Sequence, residues 1–540
     1  MSESTPSGAA GGIVDGPRDP EHDLSAHYAL ERSYVENLTA RQVASTGRTR
    51  LVASPIGGQP LGHLPESSAD DVAVAFGRAR AAQQRWAETP LEARCEALLR
   101  FHDLLLDHQD ELVDLVVWES GKARKDAFLE VAHLAMTARY YARTAAQHLD
   151  SRRVPGLFPV LTRTEVHRTP KGVVGIISPW NYPLTMAMCD GLPALVAGNA
   201  VVTKPDGQTT LTALMGARLL DLAGFPKDIW QVLSGPPAEV GGAVVQHADY
   251  VCFTGSTATG RLIAQQAAER LIGCSLELGG KNPMLVLADA RIGAAVEGAV
   301  RAVFSNAGQL CISVERMYVA DQVYDLFVEQ FVARTSALTL GASQDWSVDM
   351  GSLISQAQLD KVTAHVEDAV AKGARVLCGG KARPDLGPYV FEPTIVEGVT
   401  AEMDLFAAET FGPVVALYRF HDEGEAVERA NQGSYGLNAS VWTRDGARGR
   451  EIARRLVAGT VNVNEAYAAA FGSLAAPMGG MRESGLGRRQ GAEGILRYTE
   501  TQSVGTQRVL PVAPSFGMSE ETYAKVMTTA LRVLKKVGRA

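Results

Sequence analysis

Six thiols carry the least ordinary chemistry of this 540-residue chain: Cys95, Cys189, Cys252, Cys274, Cys311 and Cys378. They are too sparse for a disulfide scaffold. No CxxC or HExxH spacing links them to the 11 histidines, so no metal site is expected. Five have bland surroundings. Cys252 sits between Val251 and Phe253, Cys95 and Cys189 lie in helical stretches, and Cys274 and Cys378 lie near glycines. A buried structural thiol is the default for each. Cys311 differs, because Phe304-Ser305-Asn306-Ala307-Gly308-Gln309-Leu310 places a small polar turn before it. Backbone N–H groups of such a turn could face a substrate, and local evidence leaves nucleophile and core thiol both open.

A second chemistry-bearing segment is Thr254-Gly255-Ser256-Thr257, where a glycine turn meets the start of a helix and favours a phosphate. Its Gly255-x4-Gly260 spacing is not the GxGxxG fingerprint and is weak evidence alone. Gly485-x-Gly487-x3-Gly491 follows no convincing strand, carries two arginines, and is read as a loop.

The elements that position these residues change character along the chain. A first helix is expected over 24–44, and Ser68 with Asp71 offers a capping signal for another. Helices continue over 91–149, broken at Glu119-Ser120-Gly121-Lys122. From 160, short apolar runs (172–178, 201–204, 229–235, 250–255) alternate with helical stretches (184–196, 209–223, 239–246, 257–270). A second alternation, over 281–475, holds strands at 285–288, 316–320, 413–420 and 459–464 and a helix at 322–337. Continuous apolar strands separated by helices mean parallel sheets covered on both faces, so the expected class is α/β with two such domains. Ligands bind at the carboxyl ends of such strands. Four polar segments stand there: Pro179-Trp180-Asn181-Tyr182-Pro183, Lys204-Pro205, Thr254–Thr257 and Glu277-Leu278-Gly279-Gly280.

Net charge is −8, with 52 Lys+Arg against 60 Asp+Glu, so nucleic acid is a poor default partner. The N-terminus lacks the basic and apolar regions of a secretory signal, and no apolar run suits a bilayer span. A cytoplasmic protein with reduced thiols is expected. From Ser519, Tyr523, Val526, Met527, Ala530, Leu531, Leu534 and Val537 keep helical spacing, with Lys525, Arg532, Lys535, Lys536 and Arg539 opposite. Such a helix suits a protein or subunit surface, the default expectation, or a membrane surface.

PWNYPL (179–184), VTKP (202–205), FTGST (253–257), ELGGKNP (277–283), NAGQLC (306–311) and ETFGPV (409–414) stand in the order and near spacing of the NAD(P)-dependent aldehyde dehydrogenase superfamily. The chain resembles that family from roughly 50 to 510. Within it, the likeness is greatest to a divergent bacterial branch labelled succinate-semialdehyde dehydrogenase, which shares SNAGQLCIS (305–313) and APMGGM (476–481). The resemblance implies two parallel-sheet domains and a small β arm. The organisation would be a disordered leader at 1–22, cofactor-binding segments at 23–150 and 169–280, and a thiol-bearing domain at 281–475. An oligomerisation arm would occupy 151–168 and 498–510, and a helical extension 511–540. Homodimers or homotetramers would follow.

By the same resemblance, Cys311 would be the nucleophile, in a site expected to favour its thiolate. The Asn181 amide and the Cys311 N–H would hold the oxyanion, and Glu277 would activate water to hydrolyse a thioester. Lys204 would bond the adenosine ribose, Gly255 and Ser256 the pyrophosphate, and Glu409 the nicotinamide ribose. Trp180, Leu278 and Phe411 would line the same cleft. NAD-preferring members carry Glu three residues after the lysine; here Gly207 stands there, so NADP should be accepted and even preferred over NAD.

The substrate pocket would hold Tyr182, Met186, Cys189, Ser305, Tyr467 and Phe471. Two arginines that grip a distal carboxylate in familiar succinate-semialdehyde dehydrogenases fall at Cys189 and Ser305 here, and their serine falls near Gly472. Oxidation of succinate semialdehyde to succinate, as in 4-aminobutyrate degradation, is therefore set beside an uncharged aliphatic or aromatic aldehyde. A non-catalytic binding protein on this fold is the remote third reading. Ser313, two residues beyond Cys311, leaves no partner thiol for a local disulfide.

Overall fold

The computed structural model describes residues 18–23, 25–157, 162–508 and 511–537. Two large sheets organise it. The first has six strands in the order Gly485–Leu486, Gly273–Glu277, Tyr250–Thr254, Val173–Ile177, Ala200–Lys204, Trp230–Val232. All its neighbours are parallel except the outermost pair, where Gly485–Leu486 runs antiparallel to Leu276–Glu277. The second has seven strands in the order Arg375–Cys378, Thr394–Glu397, Val414–Phe420, Val314–Ala320, Asn282–Val286, Asn438–Trp442, Thr460–Val463. It too is parallel apart from its Arg375–Cys378 edge. Ala200–Lys204 and Asn282–Val286 are buried along their whole length, as the unbroken apolar runs require.

Each sheet has its own apolar core, one built around Val173, Val201 and Val251 and the other around Leu285, Val319 and Val415. The α/β architecture with two parallel sheets therefore stands. A third, three-stranded sheet (Thr499–Gln507, Thr162–Pro170, Arg152–Val154) projects as the small β arm. No helix among the described residues is long and apolar enough to cross a membrane.

Local signals act where the sequence puts them. Ser68 accepts the Asp71 N–H while the Asp71 side chain accepts the Ser68 N–H, a reciprocal cap that starts the helix Ala69–Ala87. The 91–149 stretch is three helices, Leu91–Asp107, Gln109–Ser120 and Arg124–Leu149. Gly121 ends the second in the left-handed conformation at φ +71°.

Other expectations need correction. The helix expected over 24–44 is only Arg32–Thr39, because the Ala29 N–H donates to Pro60 O (2.8 Å) of a neighbouring strand instead of a helical carbonyl. The 184–196 helix is two, Pro183–Met188 and Gly191–Val196. Pro193 has no N–H to give the Cys189 carbonyl one turn back. Of the expected leader, 1–17 lie outside the described residues, whereas Asp19 is hydrogen-bonded to His63 Nε2 (3.1 Å). The C-terminal helix Glu520–Val537 forms, but Val526, Leu531 and Val533 are exposed, so its apolar face is not packed on its own chain.

Behind the first sheet, Lys122 and Glu130 form an ion pair at 2.5 Å with both side chains wholly buried. Lys122 Nζ also donates to Asn181 O (2.7 Å). Glu130 accepts the N–H groups of Leu184 (3.0 Å) and Thr185 (3.1 Å). Removing one charge strands the other in a dry interior. Lys122→Met is therefore expected to destabilise the fold by about 3–5 kcal/mol, read as a lower urea midpoint. An unchanged midpoint would mean that Glu130 takes up a proton at no cost.

Candidate active site

Cys311 is delivered by a strained turn. The helix Ile292–Phe304 ends at Ser305, after which Asn306, Ala307 and Gly308 take φ values of +50°, +53° and +71°. Only glycine adopts this region freely, so the surroundings must hold the first two there. Asp126 accepts the Asn306 N–H at 2.9 Å. The Asn306 amide donates to the carbonyls of Asn181 and Gln309, both at 3.0 Å. Past the thiol, Cys311 O accepts from the Asn282 amide (2.8 Å), fixing the residue to the second sheet.

Asn181 leaves the end of the strand Val173–Ile177. Its carbonyl is held by Lys122 and Asn306, and its amide donates to Gln309 O at 3.0 Å. The side chain thus lies on the cysteine turn, with a second N–H still available. The structure brings together the asparagine and the thiol that the sequence singles out.

The surroundings of Cys311 in this geometry disfavour its thiolate. Burial pushes the Cys311 thiol up to about 12, and the nearby Glu277 charge adds to this. A base placed to take the thiol proton would therefore assist its attack.

Glu277 ends the strand Gly273–Glu277 inside the protein. Burial pushes its carboxyl up to about 7, Asp190 adds to the effect, and Arg489 opposes it. Its Oε1 has no hydrogen-bond partner and stands 3.8 Å from Arg489 Nε, also without a partner. Arg489 is held by Asp190 at 2.9 Å, and Asp190 is held in turn by Arg497 at 2.7 Å. Burial would raise the Asp190 carboxyl, yet the two arginines keep it below its ordinary value. Arg489 belongs to the segment read from sequence as a loop. That segment is instead tied to the site: Gly485 and Leu486 pair with Glu277 and Leu276, and Arg489 and Met478 exchange backbone hydrogen bonds of 2.7 and 2.8 Å. Sequence reasoning missed Arg489, although two arginines in a glycine-rich stretch were the visible signal.

A cavity of about 430 Å³ joins these groups. Trp180, Gly255, Ser256, Leu278, Glu409 and Phe411 line it. Ser256 caps the helix Thr257–Glu269 by accepting the Thr259 N–H. Glu409 accepts the Gly280 N–H at 2.8 Å, and burial with the neighbouring Glu315 charge pushes its carboxyl up to about 7. Trp180 and Phe411 meet edge-on, ring centres 5.6 Å apart. Lys204 and Gly207 are not among the lining residues; they lie further on, where Ala200–Lys204 ends.

Tyr182, Met186, Tyr467 and Phe471 also line the cavity, whereas Cys189 and Ser305 do not. Cys189 is buried in the short-helix layer, with its thiol pushed up to about 12 by burial and the Asp190 charge. Ser305 sits behind Tyr467, whose hydroxyl is hydrogen-bonded to it at 3.0 Å. The helix Arg124–Leu149 supplies Leu129, Ala132, His133 and Met136 in addition, none of them foreseen. His133 stacks on Phe471 at 4.1 Å, and burial brings its ring down to about 3, so it is neutral.

Sequence and structure comparisons show what the whole chain is similar to. The profile described as the aldehyde dehydrogenase family matches residues 42–504. A Mycolicibacterium smegmatis protein provisionally named succinate-semialdehyde dehydrogenase, NADP(+), is 50% identical over 515 residues, covering 95% of this chain and 98% of that protein. Succinate-semialdehyde dehydrogenase from Burkholderia pseudomallei superposes with a TM-score of 0.83 at 35% identity, over 86% of this chain and 96% of that one. PnpE crystallised with nicotinamide adenine dinucleotide superposes with a TM-score of 0.84 at 35% identity, over 88% and 97%.

The protonated thiol has a direct readout. Alkylation of Cys311 by iodoacetamide is expected to accelerate steadily from about pH 7 to about pH 10 without levelling off, since only the thiolate reacts. A plateau near pH 8, absent in Cys311→Ser, would show a thiol of ordinary acidity.

Proposed function

The chain belongs to the aldehyde dehydrogenase family, enzymes that oxidise aldehydes with NAD(P)+, and we propose that its substrate is succinate semialdehyde, released as succinate. The observation that carries the catalytic roles is the meeting of Cys311, Asn181 and Glu277 at one cavity. Names borne by relatives at 50% and 35% identity support the substrate.

The residues fit a nicotinamide dinucleotide. A Cβ on Gly279 would stand 2.6 Å from Glu409 Oε2, so the bare glycine leaves that carboxylate its place. Ser256 offers a helix N-terminus to the pyrophosphate. Lys204, Glu409 and Phe411 would hold the two ribose ends, and the bound cofactor supplies a hydride acceptor.

In the mechanism we assign, Cys311 Sγ attacks the aldehyde carbon while its proton passes to Glu277. That transfer removes the negative charge which helps hold the thiol protonated, so thiol and carboxyl titrate as a pair. The Asn181 amide and the Cys311 N–H stabilise the oxyanion of the thiohemiacetal. As the C–H bond breaks with loss of hydride, the oxyanion collapses to a thioester on Cys311. Glu277 releases that first proton to solvent, then takes one from water as the water oxygen attacks the thioester carbon, and returns it to the departing Cys311 Sγ. The acid leaves and the thiol is restored. Arg489 keeps Glu277 ionisable in a dry site.

The apolar side chains Leu129, Met136, Met186 and Phe471 in the cavity favour a second reading, an uncharged aldehyde of similar length. The exposed three-stranded arm and the uncovered C-terminal helix would join subunits into a homodimer or homotetramer.

Comparing kcat/KM for succinate semialdehyde and pentanal decides the substrate: the semialdehyde is expected to win by at least about tenfold, the worth of one satisfied carboxylate. A pentanal advantage of that size would establish the uncharged class. Glu277→Gln is expected to slow both the first release of NAD(P)H and the steady rate by roughly 100-fold or more, as the thiol and the hydrolytic water lose the same base. In the native protein the steady rate should fall as pH drops below about 7, where Glu277 gains its proton. Arg489→Gln, which removes an opposing positive charge, should move that acid limb to higher pH.

A further inference from the structure

We propose that Arg50 selects the 2′-phosphorylated form of the cofactor, its guanidinium binding the phosphate beside Lys204. This deepens the functional reading above and rests on its placement of the adenosine ribose at Lys204.

Arg50 comes from an element remote from both large sheets. Its strand, Thr49–Ala53, pairs only with Pro60–Pro65 in a separate two-stranded ribbon. The ribbon is tied to the cofactor end through Gln208, whose amide donates to Ala53 O at 2.8 Å and to Glu119 O at 3.1 Å. Gln208 sits in the turn Gly207–Thr209 that follows Lys204, so the turn and the ribbon are held in register.

Gly207 is where the two elements touch. A Cβ built there would stand 2.4 Å from Arg50 Nη1 and 3.3 Å from its Cζ. Residue 207 is not among those with positive φ, so its backbone does not demand glycine. What the missing side chain provides is room: the guanidinium lies against the bare Cα. A larger residue at 207 and Arg50 would compete for one space.

The charges near this point are unbalanced. Among the described residues Arg50 makes no ion pair or side-chain hydrogen bond, unlike Arg48 close by, which bonds the Glu239 carboxylate at 3.3 Å. Among the described residues, the buried Lys204 Nζ donates only to Pro205 O at 3.1 Å. Burial lowers the Lys204 ammonium, the Asp206 charge opposes this, and the Arg50 charge lowers it further, so the two cations feel each other. Asp206 Oδ1 accepts the Gln208 N–H at 2.9 Å, and among the described residues the Asp206 carboxylate forms no ion pair with either cation. Two adjacent cations with donors to spare suit a dianion. Guanidinium and ammonium together match a phosphate monoester, and neither a ribose hydroxyl nor an adenine ring would balance both charges.

The test is calorimetric binding of 2′,5′-ADP and 5′-AMP to the full-length protein, with no turnover involved. Arg50→Ala is expected to weaken 2′,5′-ADP by about 10- to 100-fold, the loss of a charge-assisted contact, while 5′-AMP changes less than about twofold. Gly207→Glu, which puts a carboxylate into the guanidinium's space, is expected to reproduce that selective loss. An equal fall for both nucleotides in Arg50→Ala would make Arg50 structural and overturn the proposal. Unchanged 2′,5′-ADP binding in Arg50→Ala, with loss in Lys204→Ala, would also overturn it but keep the ribose site. If Lys204→Ala leaves both nucleotides untouched, the placement of the ribose itself fails.

Discussion

Backbone N–H groups at the cleft cannot join a sheet ladder, and buried glutamates accept them instead. Glu130 takes those of Leu184 and Thr185 beside Asn181; Glu315 takes those of Thr410 and Phe411 beside Glu409. A buried carboxylate alone would be costly, and each has a buried lysine, Lys122 and Lys281, at 2.5 Å. The lysines do further work. Lys122 reaches the Asn181 carbonyl, and Lys281 lies in the turn leading to the strand of Asn282, whose amide holds Cys311 O. The two walls of the cleft, each rooted in a different sheet, are thus built by the same device.

Dryness is also what gives the site its proton chemistry. Burial raises Glu277 and Glu409 to about 7 and Cys311 to about 12. A carboxyl near neutrality can both accept and release a proton under ordinary conditions, and a thiol so far up cannot ionise alone. The pair is therefore coupled rather than preset. Arg489, anchored by Asp190 and backed by Arg497, puts a limit on how far burial can suppress the carboxylate.

Much of this was legible in the sequence where neighbours along the chain settle the matter. The cap at Ser68 and Asp71, the stop at Gly121 and the fully buried strands need only local patterns, and the small polar turn before Cys311 marked the thiol. What stayed hidden depends on distant segments meeting. Arg489 and His133 sit in stretches that read as loop and helix, and only tertiary packing brings them to the cleft. The helix expected before residue 32 failed for the same reason, since Pro60 takes the Ala29 N–H. Cys189 was read as a pocket wall because a family pattern gives position, not the depth at which a short helix settles.

The antiparallel edge at Gly485–Leu486 gives the chain a timetable. Residues 173–277 leave a ribosome first and can assemble five parallel strands, but the outer edge of Gly273–Glu277 stays open until residue 485 arrives. Tyr498 and Ile495, fully buried in that first core, arrive later still. A nascent chain therefore carries an unpaired strand edge and an unfilled core through the whole synthesis of the second sheet, a state open to mispairing with other chains. Because the same late segment brings Arg489, the protein acquires its complete proton-handling site only as its fold is sealed.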